Sequence, residues 1–268
     1  MPAASGYDAV AMATDPDIVT ACLIVIGNEI LSGRTRDANL PFLARTLNDW
    51  GVRLREARVI PDDTETIVAT VNECRAAFDH VFTSGGIGPT HDDITAAAIA
   101  KAFGVALVRN PEAVARLEAQ YDPADLTEAR LKMADIPEGA TLIDNPVSRA
   151  PGFRLENVFV LAGVPVILQA MVAGLRHEIA GGRPMLSRTV TAAIAEGVLA
   201  PGLAALQEEF PDIEIGSYPF FRLRKFGVSV VLRGTDPARL DAAAAALKAL
   251  LEKLGGKPLE NAPGASQA

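Results

Sequence analysis

The sequence predicts an α/β fold, with a doubly wound, mostly parallel sheet that carries helices on both faces, followed by a small α+β domain of βαββα order. Three observations carry that expectation. From residue 20 onward, short apolar runs without polar alternation exchange with longer stretches of helical period, as in βαβ units whose strands are buried on both faces. A glycine-rich turn at 84–88 lies between a strand and a helix, where α/β proteins place ligands. Gly181-Gly-Arg-Pro184 then interrupts the pattern with two breakers and a proline ahead of a new β-type run.

The elements follow in order. Residues 21–26 form the first strand, stopped by Gly27. Leu40, Leu43, Leu47 and Trp50 fall at helical spacing, so 39–50 is the first crossover helix, with Gly51 as its terminator. Residues 52–60 are strand-like, and Asp63 is placed to cap a helix whose buried face is Ile67, Val71, Cys74 and Phe78. A short strand at 80–83 runs into the glycine turn, and Ile94, Ala97, Ala98 and Ala102 keep the period of a helix that Gly104 ends. Asn110-Pro111-Glu112 is a helix start with an Asn cap and Pro at the first position, so 111–134 is mostly helical with a break near Pro123. Strands at 141–143, 152–155 and 158–161 and a helix at 166–179 complete the first domain. Beyond the break come a strand at 188–191, a helix at 203–210, strands at 213–216 and 228–232, and an Ala-rich helix capped by Asp236 and running to about Leu254. The expected layout is a loose tail at 1–19, domains at 20–182 and 183–256, and a second tail at 257–268.

Composition limits the partners. With 268 residues, 49% hydrophobic and 22% charged, the chain is an ordinary folded protein, not a disordered or fibrous one. Its formal net charge of −8 is the wrong sign for neutralising nucleic-acid phosphates, so no nucleic acid is expected. The two cysteines, Cys22 and Cys74, lie in apolar periodic segments and read as buried packing thiols in a reducing, cytoplasmic setting. No long apolar run marks a membrane span, and Asp8, Asp15 and Asp17 spoil any signal-peptide pattern.

The most informative segment is 83–95. Glycines let backbone N–H groups turn inward and a helix N-terminus adds partial positive charge, so Gly85, Gly86 and Gly88 before a helix predict an anionic ligand. Neither the dinucleotide fingerprint nor a Walker A loop matches, because His91 stands where the third glycine would be and no Gly-Lys-Ser/Thr follows. Of the adjacent acids Asp92 and Asp93, one can cap the helix while the other meets the phosphate through a divalent cation. Asp62 and Asp63 form a second acidic pair expected on the same carboxyl edge of the sheet.

Ile26-Gly-Asn-Glu-Ile-Leu-Ser-Gly33, Asp37-Ala-Asn39, Thr83-Ser-Gly-Gly-Ile-Gly-Pro-Thr-His-Asp-Asp-Ile-Thr95, Asn145-Pro146, Ala150-Pro-Gly-Phe153 and Gly163-Val-Pro165 together resemble the molybdopterin-binding domain family (MoaB/Mog-like). The nearest branch is that of the competence/damage-inducible protein CinA and the similar domain fused to eukaryotic FAD synthases. The match spans residues 20–180, and 186–254 is similar to the small domain that follows in that branch. The resemblance implies that Ser84, Gly85, Gly86, Gly88 and Thr90 hold a phosphate, that Asn28, Glu29, Asn39 and Asn145 complete the pocket, and that Asp93 and Asp62 are the catalytic acids. It implies a divalent metal (Mg, Mn or Co) on Asp93, Asp62 and Asp92, with molybdopterin as one candidate ligand. The implied activity is hydrolysis of a nucleotide pyrophosphate of ADP-ribose or FAD type. The alternative is a non-catalytic molybdopterin-binding protein or molybdenum cofactor biosynthesis factor, and a homo-oligomer fits either.

The chain departs from the family's pattern. Val166 and Ile167 replace a polar pair that includes an acid, and Asn28 stands where many relatives carry Asp. No third domain follows in the sequence, so the amidase activity of that domain is not expected. His91 reads as a solvated turn residue, and Arg222, Arg224 and Lys225 among Phe220, Phe221 and Phe226 read as a solvated hairpin beside core aromatics.

Overall fold

The computed structural model of the chain describes residues 18–222 and 225–258. It divides into two compact units that part between Gly182 and Arg183.

The first unit contains β1 (Val19–Ile26), α1 (Asn28–Leu31), α2 (Asn39–Asp49), β2 (Val52–Ile60), α3 (Thr64–Ala77), β3 (His80–Ser84), α4 (Thr95–Phe103), β4 (Leu107–Arg109), α5 (Pro111–Glu118), α6 (Glu128–Leu131), β5 (Asp135–Pro137), β6 (Thr141–Ile143), β7 (Gly152–Leu155), β8 (Val158–Leu161) and α7 (Pro165–Gly174). Its main sheet has the order β2-β1-β3-β8-β7-β6. The first four strands are parallel, and β7 and β6 continue the sheet antiparallel. The second unit contains β9 (Leu186–Ala193), α8 (Glu196–Glu209), β10 (Glu214–Arg222), β11 (Lys225–Gly234), α9 (Pro237–Lys253) and β12 (Lys257–Pro258). Its sheet is antiparallel, in the order β10-β11-β9-β12.

Alternation along β1 builds the two faces of the main sheet. Cys22, Ile24 and Ile26 bury against Ile67, Val71 and Cys74 of α3 and Ile99 of α4, while Ala21, Leu23 and Val25 bury against Leu43 and Leu47 of α2 and Leu168 and Met171 of α7. From Ala21 to Ile26 the sequence of β1 therefore shows no polar alternation, as a strand covered on both sides requires. Cys22 and Cys74 are free, buried and 3.4 Å apart. In the second unit the apolar faces of α8 and α9 meet Val190, Val228, Val230 and Leu232 on one face of the sheet.

Several local expectations need correction. Residues 111–134 hold two short helices and a 3-10 turn instead of one broken helix. The strands β4 and β5, which pair with each other, are too short to show a period. The helix expected at 203–210 begins at Glu196 and ends at Glu209, with Pro201 inside its second turn. Val19 and residues 257–258 belong to strands, not tails, and the remaining tail expectations at 1–17 and 259–268 lie outside the described residues. The side chains of Arg222, Arg224 and Lys225 lie outside them as well. Among the described residues, no helix is long and apolar enough to cross a membrane.

Candidate ligand-binding site

The parallel strands β1, β2, β3 and β8 deliver their following loops to one edge of the sheet, and the strand order changes direction between β1 and β3. Ligands of doubly wound sheets bind at such a switch point. The loop after β3 is held by backbone geometry. Gly85 (φ +113°) and Gly86 (φ +69°) adopt conformations that favour glycine. A Cβ on Gly85 would stand 2.2 Å from the Ile26 carbonyl oxygen, and one on Gly86 would stand 2.2 Å from Thr95 Oγ1. The Thr95 amide donates to the Gly86 carbonyl at 3.0 Å, and its hydroxyl donates to the Gly85 carbonyl at 3.0 Å. Thr95 is fully buried, so the start of α4 is locked to the glycine turn.

The aspartates do not cap that helix. The residue before α4 is Ile94, and no side chain bonds to the first-turn amides. Asp93 instead turns back along the loop, where its Oδ2 accepts from the Thr90 amide at 2.8 Å and the Thr90 hydroxyl at 2.6 Å. Asp92 Oδ1 lies 2.5 Å from the same hydroxyl, whose single proton the two aspartates share, and this contact, ahead of a bond from its own amide, holds the Asp92 carboxyl below the usual range. The expected division of labour, one acid capping and one facing phosphate, is therefore corrected. The hydroxyl and amide of Thr90 take the carboxylates that the helix end would otherwise hold.

A pocket of about 60 Å³ opens beside this turn. Gly86, Gly88 and Asp93 of the turn and Ala96 and Ala97 of α4 line it, together with the apolar side chains of Met133, Ile136 and Phe153. Lys132 also lines it and donates from Nζ to the Thr90 carbonyl at 2.6 Å. The first turn of α4, left uncapped, thus borders the pocket together with the glycines, an arrangement suited to an anion.

The remaining expected residues have other duties. Asp62 accepts from the Asn28 amide at 2.8 Å and ties the loop after β2 to the loop after β1. Asp63 caps α3 through the Thr66 amide, as the sequence predicts. Asn39 is buried at the start of α2, and its Nδ2 donates at 2.8 Å to both Ser84 Oγ and the Gly163 carbonyl. Its Oδ1 is buried without a partner among the described residues. Asn39 and Ser84 thus brace the loops after β3 and β8. Glu29 is exposed beside Gly27. Asn145 is 1% exposed and saturated within its own turn, donating to Ser148 Oγ and the Ala150 carbonyl and accepting from the Val147 and Ser148 amides. That leaves it no free group for a ligand, which corrects its expected place in the pocket.

The expected metal set is not gathered. Asp62 is engaged at Asn28 while Asp92 and Asp93 are engaged at Thr90, and among the described residues no group of three or more His, Cys, Asp or Glu is placed to hold a metal ion. Asp93 alone of the three lines the pocket. One carboxylate fits a magnesium-like ion that takes its other oxygens from water and a bound phosphate, not an all-protein cage. Sequence reasoning missed Lys132, which follows the Gly loop by more than 40 residues and carries no local motif. Phe153 was inside a quoted motif but had no assigned role.

A mostly parallel sheet with a glycine-rich loop at its switch point and helices on both faces defines a doubly wound α/β domain. Comparison with known proteins specifies which: residues 22–181 match the family described as "Probable molybdopterin binding domain", and the chain belongs to that family. Residues 184–256 match the middle domain of FAD synthase. Relatives include a protein of Thermococcus kodakarensis, 36% identical over 82% of this chain and 92% of its own length. A "Probable FAD synthase" of Caenorhabditis elegans is 31% identical over 88% of this chain, which spans half of that protein. The crystal structure of the protein CinA from Thermoplasma acidophilum matches with a TM-score of 0.58 and 37% identity, covering 60% of this chain and 98% of that one.

Proposed function

We propose that the first unit binds a phosphorylated pterin or nucleotide in the pocket between the glycine turn and α4. The observation that carries this reading is the convergence of Gly86, Gly88 and the uncapped first turn of α4 on one pocket. The family supports a pterin, and the named FAD synthase relative supports a nucleotide. In this reading the glycine turn and the first turn of α4 orient the phosphate, while Asn39 and Ser84 hold the neighbouring loops in register.

One observation favours a second reading, hydrolysis of a nucleotide pyrophosphate. A Cβ on Gly88 would stand 2.6 Å from Asp93 Oδ2, so a phosphate seated on the turn has a carboxylate as its neighbour. Two anions that close call for a cation. A divalent ion held by Asp93 and the phosphates would neutralise charge and lower the pKa of a bound water. Asp93 itself is held in place by Thr90, whereas Asp62 is engaged by the Asn28 amide and does not line the pocket.

The test is to incubate the full chain with ADP-ribose and with FAD, with and without Mg²⁺, Mn²⁺ or Co²⁺, following binding by calorimetry and AMP release by chromatography. Saturable binding without AMP supports the binding role alone. Metal-dependent AMP release adds hydrolysis, and binding of neither compound contradicts the nucleotide form of the proposal.

A further inference from the structure

We propose that Lys132 is the anion-selecting residue of the Gly-loop pocket, contributing the positive charge that meets the ligand's phosphate. This rests on the reading above that the pocket takes a phosphorylated ligand. Three observations assign the role to Lys132 in particular.

The first is charge. Among the described residues that line the pocket, Lys132 is the one basic side chain, and it shares the pocket with Asp93 and Asp135. Asp135 is neutralised by Arg109, whose Nε donates to it at 2.5 Å. Asp93 is bonded to the amide and hydroxyl of Thr90, both neutral donors. Among the described residues Lys132 makes no salt bridge within 4 Å, and the carboxylate its charge reaches, Asp92, lies outside the pocket lining.

The second is donor count. An ammonium has three N–H donors. One is satisfied by the Thr90 carbonyl, and that bond also fixes Nζ against the turn that carries Gly88 and Asp93. The remaining donors suit a phosphate better than a neutral group, since charge-assisted bonds are shorter and stronger than neutral ones.

The third is setting. Lys132 is half-buried, and its neighbours Met133, Ile136 and Phe153 give the pocket an apolar wall. Partial burial limits the screening that makes a surface lysine a weak anion receptor. A wall of that kind adds affinity only for an anion with an attached apolar or planar group. The ligand class is therefore a phosphate or pyrophosphate ester, not the free ion.

The experiment is a calorimetric titration of the full chain with ADP-ribose and with inorganic pyrophosphate, at two salt concentrations, for wild type, Lys132→Gln and Lys132→Arg. Both variants keep an N–H donor for the Thr90 carbonyl, and only glutamine loses the charge. The proposal expects Lys132→Gln to bind ADP-ribose about ten- to a hundredfold more weakly, with a flatter salt response, and Lys132→Arg to stay within a few-fold of wild type. It also expects pyrophosphate to bind wild type more weakly than ADP-ribose. Lys132→Gln binding as wild type does, or both variants losing affinity together with a lowered melting temperature, would overturn the role while leaving the pocket reading intact. A wild type that binds neither probe would remove the pocket reading, and this assignment with it.

Discussion

Gly86 and Gly88 sit two positions apart in one turn, yet the structure gives them different tasks. Gly86 has a positive φ and faces Thr95 Oγ1, so Gly86→Ala strains the backbone and drives a methyl into a buried hydroxyl. A loss of about 1–3 kcal/mol is expected for the backbone strain alone, read as a lower melting temperature. Gly88 has no such φ, and the atoms nearest its Cβ belong to the carboxyl end of the Asp93 side chain. Gly88→Ala should therefore melt close to wild type while losing ADP-ribose affinity in calorimetry, and equal affinity would remove Gly88 from the site. Asp93→Asn keeps an acceptor for the Thr90 amide, so metal-stimulated binding or turnover should fall without a matching drop in melting temperature. Unchanged metal dependence would leave Asp93 a loop brace only. At this scale the glycine turn was legible because strand, glycines and helix are contiguous. Lys132 was not, because only the fold brings it to Thr90. Asn145 was misread because a buried asparagine looks the same in sequence whether it serves a ligand or its own turn.

At the scale of elements, caps and loop ties explain what the hydrophobic period cannot. The period located β1, α2, β2 and α3, and Asp63, Asn110 and Asp236 cap the helices they were read as capping. The start of α4 escaped, since Thr90 competes for both aspartates. The turn after β6 depends on Asn145, and Asn145→Ala should destabilise the first unit by about 1–3 kcal/mol while leaving ADP-ribose affinity unchanged. A loss of affinity at constant stability would restore it to the site. His80 begins β3, and burial, only partly offset by its bond with the Ala180 carbonyl at 3.2 Å, lowers its pKa from 6.5. The unfolded chain then binds more protons than the folded one below pH 6.5, so stability falls as pH drops from there towards the depressed folded value. Chemical denaturation at pH 7.5 and about pH 5.5 should show that loss in wild type and a smaller one in His80→Phe. Equal losses in both would assign the acid sensitivity to other groups.

For the whole molecule, each unit has its own core: the two faces of the main sheet in the first, and one face of the antiparallel sheet in the second. Truncation after Gly182 should thus leave a fragment that melts cooperatively and keeps ADP-ribose affinity, and an insoluble fragment would count against independent folding. The break at Gly181-Gly-Arg-Pro184 was readable because breakers cluster there, whereas the strand order of the sheets was not, because pairing between distant strands leaves no local mark. The central claim is that the pocket beside the glycine turn, lined also by α4 and Lys132, is where the ligand binds. Its most direct test is an amide ¹⁵N–¹H spectrum of the full chain titrated with ADP-ribose. The account predicts saturable shifts centred on Gly86, Gly88, Ala96 and Ala97. Shifts confined to residues 184–256, the stretch matching the FAD synthase middle domain, with those four amides unmoved, would contradict it.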